Sequence, residues 1–193
     1  MRVNNRHIAI YHTAIRLRMA LLALCLSCIS ILSIPIHAQT IGGNVYGGGN
    51  QGDLEGNANV ELKGGTVQGN VYGGARMADI TGRTYVHING AEASSQLVVR
   101  AVYGGNDIAG TIGTGGEDMP FAPCVPTEPT DCQVDNTWNA FIQATTNTTH
   151  PVVIGSLFGG GNGAYTYNED DTEVTVDGIT YPINCRPTLA KTY

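Results

Sequence analysis

Apolar and polar positions recur along this chain on two scales. On the short scale they alternate. Ala58, Val60 and Leu62 are separated by Asn59 and Glu61, and Thr84, Val86 and Ile88 by Tyr85 and His87. Thr172, Val174 and Val176 are separated by Glu173 and Thr175. Alternation of period two predicts half-buried strands with one apolar face and one wet face. On the long scale an aliphatic, aromatic, Gly-Gly phrase returns four times. The copies are Val45-Tyr46-Gly47-Gly48, Val71-Tyr72-Gly73-Gly74, Val102-Tyr103-Gly104-Gly105 and Leu157-Phe158-Gly159-Gly160. Five residues before each aromatic stands another aliphatic: Ile41, Val67, Val98 and Val153. Self-similarity of this kind predicts stacked copies of one small unit.

The spacing supports a common unit. Tyr46 to Tyr72 is 26 residues, as is Val60 to Val86. Tyr72 to Tyr103 is 31, with the excess near Ala91 to Ser95. Tyr103 to Phe158 is 55, enough for a degenerate copy with Trp138, Ala140 and Ile142 as its inward stripe. Residues 117–135 then form an outward insertion. Its Pro120, Pro123, Pro126 and Pro129 withhold ladder hydrogen bonds, so a loop is expected there.

One such unit cannot bury its own aliphatic face, so the predicted fold is all-β: a parallel β-helix or β-solenoid of ~26-residue repeats. Parallel stacking would build ladders of like residues at ~4.8 Å spacing. Three aliphatic ladders are expected: Ile41, Val67, Val98 and Val153; Val45, Val71, Val102 and Leu157; and Val60, Val86 and Val174. Tyr46, Tyr72, Tyr103 and Phe158 would form an aromatic ladder, and the Gly-Gly steps would turn corners where a Cβ does not fit. An antiparallel array of hairpins is the alternative, because Gly64-Gly65 is also a hairpin turn signal.

The first 38 residues stand apart. Arg2, Arg6, Arg16 and Arg18 precede an apolar run from Met19 to Ile34, and Ala38 offers a small residue for cleavage. That order is a secretory signal peptide. A membrane anchor is the weaker reading, since Ser27, Ser30 and Ser33 dilute the run and Pro35 ends it. Beyond Ala38 the charge changes sign. All 16 acidic residues lie there against six Lys and Arg, a net charge of −10. Such a charge argues against nucleic acid and anionic membrane as partners. All 26 glycines lie there too, at repeating positions, which reads as regular turns and not as a linker. In an oxidising compartment Cys124 and Cys132 are the disulfide candidate, and Cys185 is left over.

Ile41-Gly42-Gly43-Asn44-Val45-Tyr46-Gly47-Gly48-Gly49-Asn50 and Leu157-Phe158-Gly159-Gly160-Gly161-Asn162 resemble the Val-Tyr-Gly-Gly-Gly-Asn repeats of large exported proteins of gut-type Bacteroidota. Asn59 to Lys63 followed by Gly64-Gly65-Thr66-Val67 is similar to that repeat's second half. The second and third copies depart from it, with Ala75 and Asn106 in place of the third glycine. The resemblance implies a β-helical, adhesin-like protein, secreted or on the outer cell surface, and brings no catalytic residues with it.

Chemical motifs are sparse. Gly47-Gly48-Gly49 is followed by neither Lys-Ser nor Lys-Thr, so it is a turn and not a phosphate loop. Gly160-Gly161-Asn162-Gly163 starts like a calcium repeat but has Tyr165 where the carboxylate belongs. Asn168-Glu169-Asp170-Asp171 is an acidic cluster suited to a solvated loop or weak calcium binding. No metal or cofactor is expected. Glu61 and His87 occupy equivalent outward places, with Lys63 and Arg83 near, the one constellation that suggests chemistry. The tyrosine ladder is a candidate for stacking on sugars.

The expected organisation is a signal peptide over 1–38, repeats over 39–116, the Pro-rich inserted loop over 117–135, and degenerate and final repeats over 136–193. Lys191-Thr192-Tyr193 matches Arg83-Thr84-Tyr85, so the chain is expected to stop in mid-strand as a fragment with an open, self-associating end. The expected function is a non-catalytic structural or adhesive segment of an exported bacterial surface protein, contacting glycans or extracellular surfaces. The alternative is a carbohydrate-active β-helix enzyme.

Overall fold

A computed structural model describes residues 39–113 and 138–187, with the backbone alone of 124–128 and 131–134. The first copy supplies β1 (Thr40–Ile41), β2 (Val45–Tyr46) and β3 (Ala58–Leu62). The second supplies β4 (Gly65–Tyr72) and β5 (Thr84–Asn89), and the third opens with β6 (Leu97–Tyr103). The insertion holds β7 (Cys124–Glu128) and β8 (Asp131–Val134), after which come β9 (Ala140–Thr145) and β10 (Val152–Phe158). The chain continues with β11 (Thr166–Tyr167), β12 (Glu173–Val176) and β13 (Ile179–Pro182). Among the described residues the fold is all-β, with no helix and no closed barrel.

The copies lie parallel. One sheet runs β1-β4-β6-β10, with β2 also on β4; a second runs β3-β5-β9. Tyr46 sits opposite Tyr72, Tyr72 opposite Tyr103, and Tyr103 opposite Phe158. The apolar faces of both sheets share one core, in which Val71, Val86, Ile88 and Val102 are fully buried. Burial of one such side chain stabilises the fold by roughly 1.5–3 kcal/mol. Outside these sheets, single parallel bridges link Leu54 to Ile80 and Ile80 to Ile112. Gly64 and Gly65 (φ +145° and +89°) form a corner between sheets, and β3 and β4 do not pair as a hairpin.

The corners explain the glycines. The Gly73 nitrogen donates to the Tyr103 carbonyl at 2.8 Å, and the equivalent bonds run from Gly47 to Tyr72 and from Gly104 to Phe158. A Cβ on Gly73 would stand 2.5 Å from the Gly104 carbonyl oxygen. The next copy passes too close for any side chain.

Several expectations are corrected. The ladder starting at Ile41 and Val67 continues through Val99 and Ile154, not Val98 and Val153. A bulge between Val67 and Asn70 is the cause: β4 spends one residue more than β6 between the inner aliphatic and the phrase. Counting back a constant five residues therefore lands on the wrong face. Val99 is buried, whereas Val153 is 47% exposed. The third ladder is Val60, Val86 and Ile142, without Val174. The 55-residue interval is a single copy carrying an insertion, since β10 pairs directly with β6 and β9 with β5.

Val174 does point inward, but elsewhere. Asp177 and Gly178 (φ +52° and +80°) make a two-residue loop of the kind that reverses a chain, so β12 pairs antiparallel with β13 and with β11. This small sheet folds back so that Val174 and Val176 pack on Ile108 and Ala109. Within the Pro-rich segment, expected as loop, β7 and β8 form an antiparallel pair. A two-stranded ribbon has only edge strands, where proline is tolerated. Its backbone register sets Cys124 opposite Val134 and Cys132 opposite Pro126. The side chains of this disulfide candidate, the signal peptide and Lys191 to Tyr193 lie outside the described residues.

Candidate functional site

The aromatic ladder forms as expected. Ring centroids of Tyr46 and Tyr72 are 5.0 Å apart, those of Tyr72 and Tyr103 4.9 Å, and those of Tyr103 and Phe158 4.7 Å. All three pairs are stacked, within 17° of parallel. At this spacing each ring covers its neighbour's face, so the inner tyrosines offer no ring face to a sugar. Phe158, 45% exposed at the end of the row, keeps one.

The hydroxyl ends of the ladder carry a feature that the sequence did not suggest. Asp107, buried next to the third corner, accepts hydrogen bonds from Tyr46 at 2.8 Å, from Tyr165 at 2.9 Å and from the Asn162 side-chain amide at 2.9 Å. Asn162 also donates to the Tyr72 hydroxyl at 3.3 Å. Asn44 and Asn70, each two residues before its tyrosine, donate to the Tyr46 and Tyr72 hydroxyls at 3.0 Å. Burial, opposed by Asn44 and reinforced by the Asp107 carboxylate, pushes the Tyr46 phenol up to about 12. Burial and Asp107 also push up Tyr72 and Tyr165. These phenols remain hydrogen-bond donors across the whole physiological range. Gly160-Gly161-Asn162-Gly163 and Tyr165, which began like a calcium repeat, thus serve to dock the final copy onto Asp107.

A second set of side chains ties copy to copy. Oδ1 of the Asn44 side chain accepts from the Asn70 backbone nitrogen at 2.8 Å, that of Asp53 from the Asp79 nitrogen at 2.9 Å, and that of Asn57 from the Arg83 nitrogen at 2.7 Å. All three span 26 residues. Asp79 repeats the move one copy on, accepting from the Thr111 nitrogen at 2.7 Å. The signal was available as Asn and Asp recurring at the repeat spacing. Asp53 and Asp79 also line a cleft of about 260 Å³ between the stack and the small sheet, with Gln51 and Asn184.

The outward constellation is only partly assembled. Glu61 faces His87 across the β3–β5 pair, with Nδ1 3.4 Å from Oε1. Lys63 bridges Glu61 at 3.3 Å and Glu92 at 2.8 Å. The Asn89 amide, with help from Lys63, holds the Glu61 carboxyl below its ordinary value. Arg83 does not join them. It is buried over the Trp138 ring, 5.3 Å from its centroid, and its Nε donates to the Trp138 carbonyl. The outer face expected to be wet is dry at Tyr85, which is buried and stacked on Phe141 at 5.5 Å.

The acidic cluster is a turn. Asn168 accepts from the nitrogens of Thr172 and Glu173, and Asp171 pairs with Arg186, whose guanidinium lies over Tyr167. Among the described residues no group of three or more His, Cys, Asp or Glu side chains is placed to hold a metal ion. Cys185 carries a free, half-buried thiol that burial and Asp79 push up. Among the described residues no helix is long and apolar enough to cross a membrane. Comparison with known proteins finds no match: no family model, no curated protein and no solved structure is similar to this chain.

Proposed function

We propose that this chain is a non-catalytic structural or adhesive segment of an exported bacterial surface protein, built as a parallel β-solenoid. The observation that carries the reading is where the polar side chains spend their hydrogen bonds. Asn44, Asp53, Asn57 and Asp79 each reach the backbone of the next copy, and Asp107 gathers donors from the first and last. Groups used in this way fasten layers together and are not arranged around a reacting atom. The outer face then serves as a rigid, repetitive surface for glycans or other extracellular material. Glycan-array binding combined with polysaccharide-cleavage assays tests this: binding without cleavage supports an adhesive role, and hydrolytic or eliminative products overturn it. The enzymatic alternative draws on the Glu61–His87 contact alone. It requires cleavage that is lost in Glu61→Gln.

A further inference from the structure

The first sheet has two ends, and they are unlike its middle. At one end lies the edge formed by β1 and β2, whose partner is β4; at the other lies β10, whose partner is β6. Among the described residues the outer edge of each is unpaired. Between them the ladder members are sealed, with Val71 and Val102 both 0% exposed. On β10 the same ladder ends in Leu157, 52% exposed, and the aromatic ladder ends in Phe158. Val153 is exposed on the same strand, so among the described residues three of the four exposed large apolar side chains lie on β10.

Edge strands are normally guarded by a charge, a proline or a bulge that turns them away. Neither β10 (Val152–Phe158) nor the span 40–46 contains a charged residue or a proline. By contrast β3, an edge strand of the second sheet, carries Glu61, and of the two interior strands of the first sheet β6 carries Arg100 while β4 is uncharged. Both ends also carry the same phrase, Val45-Tyr46 and Leu157-Phe158, in the register that the chain already uses between its own copies.

We propose that the β10 edge of one molecule pairs in parallel with the β1–β2 edge of a second copy of this chain. Leu157 then seats on Val45 and Phe158 stacks on Tyr46, continuing the interface between copies across the molecular boundary. The difference in length between the two strands is no obstacle. The chain joins β4 to β6 with one extra residue on β4, taken up by the bulge between Val67 and Asn70. The contact is heterologous, since the two surfaces differ, and translation along the stack does not close a ring. Its product is a filament and not a dimer.

Sedimentation velocity of the full chain over a wide concentration range tests the proposal. The expected result is a mass that climbs with concentration past the dimer without a plateau. A strict monomer overturns it, and so does a plateau at the dimer, which would mean that β10 pairs with itself. Leu157→Lys and Val45→Lys each place a charge on one end only. Each variant alone should stay monomeric, with its melting temperature checked by circular dichroism, and an equimolar mixture should give dimers and nothing larger. If Val45→Lys assembles like the parent, the β1–β2 edge is not the partner and the proposal fails. Assembly driven by the apolar N-terminal run would ignore both substitutions and would overturn it equally.

Discussion

The Tyr46 hydroxyl donates a 2.8 Å hydrogen bond to Oδ2 of Asp107, 61 residues further along the chain. Tyr165 and Asn162 reach Oδ1 of the same carboxylate from the other side. First, third and last copies therefore meet at one buried group. Hydrogen bonds to a charged acceptor contribute roughly 1.5–3 kcal/mol each, and donors stranded in a buried place cost more than they gain. Asp107→Ala should lower the unfolding free energy by about 3 kcal/mol in urea titration, and Asp107→Asn, which keeps one acceptor, by less. Equal stability in all three proteins would remove Asp107 from the account.

The same cluster sets the response to alkali. An unfolded tyrosine titrates near 10. Burial pushes Tyr46 to about 12, and it pushes Tyr167 to about 12 against the opposing charge of Arg186. The folded state holds these protons more tightly. The stability they contribute is complete below pH ~10 and is lost as pH rises through ~12. Tyrosinate absorbance should show some of the nine tyrosines titrating late and together with unfolding. A single transition of all of them near pH 10 in folded protein would contradict this.

The bulge makes a sharp distinction between two neighbouring valines. Val99 is buried between Val67 and Ile154, while Val98 faces the other way. Val99→Ala should cost about 2 kcal/mol from lost burial and the cavity left behind. Val98→Ala should cost under about 1 kcal/mol. Denaturant titration of the pair reads the register directly, and the reverse order would restore the ladder of Ile41, Val67, Val98 and Val153.

Corner glycines and loop glycines should separate in the same way. Gly73→Ala forces a methyl against the Gly104 carbonyl and should cost roughly 1–3 kcal/mol. At Gly52 an added Cβ meets nothing within 4 Å, so Gly52→Ala should stay within about 0.5 kcal/mol of the parent. Equal thermal shifts for the two would show that the layers are not held at this spacing.

What was legible in the sequence was whatever repeats at a constant offset. Tyr46, Tyr72, Tyr103 and Phe158 announce their ladder because each is followed by the same two glycines. Val60 and Val86 announce theirs because both strands start equally far from the phrase. The residue added by the bulge in β4 leaves no mark of its own, and it inverts the parity of every position counted back across it. Alternation alone misplaces Val174, because a strand ending in Asp177-Gly178 alternates like any other; the turn dipeptide, not the alternation, decides its partner. The Asp107 site stayed hidden for a different reason. Its donors lie 55 to 61 residues away and belong to motifs already explained as ladder and glycine turn.

Parallel, in-register stacking of the copies underlies every statement above, and nuclear Overhauser contacts between strands test it most directly. In-register stacking predicts methyl contacts from Val67 to Val99 and from Val71 to Val102, with Tyr72 ring protons close to those of Tyr103. A hairpin at Gly64-Gly65 would instead place Leu62 opposite Val67 and give a strong contact between their α-protons. That contact, without the one between Val67 and Val99, would contradict the stacked arrangement.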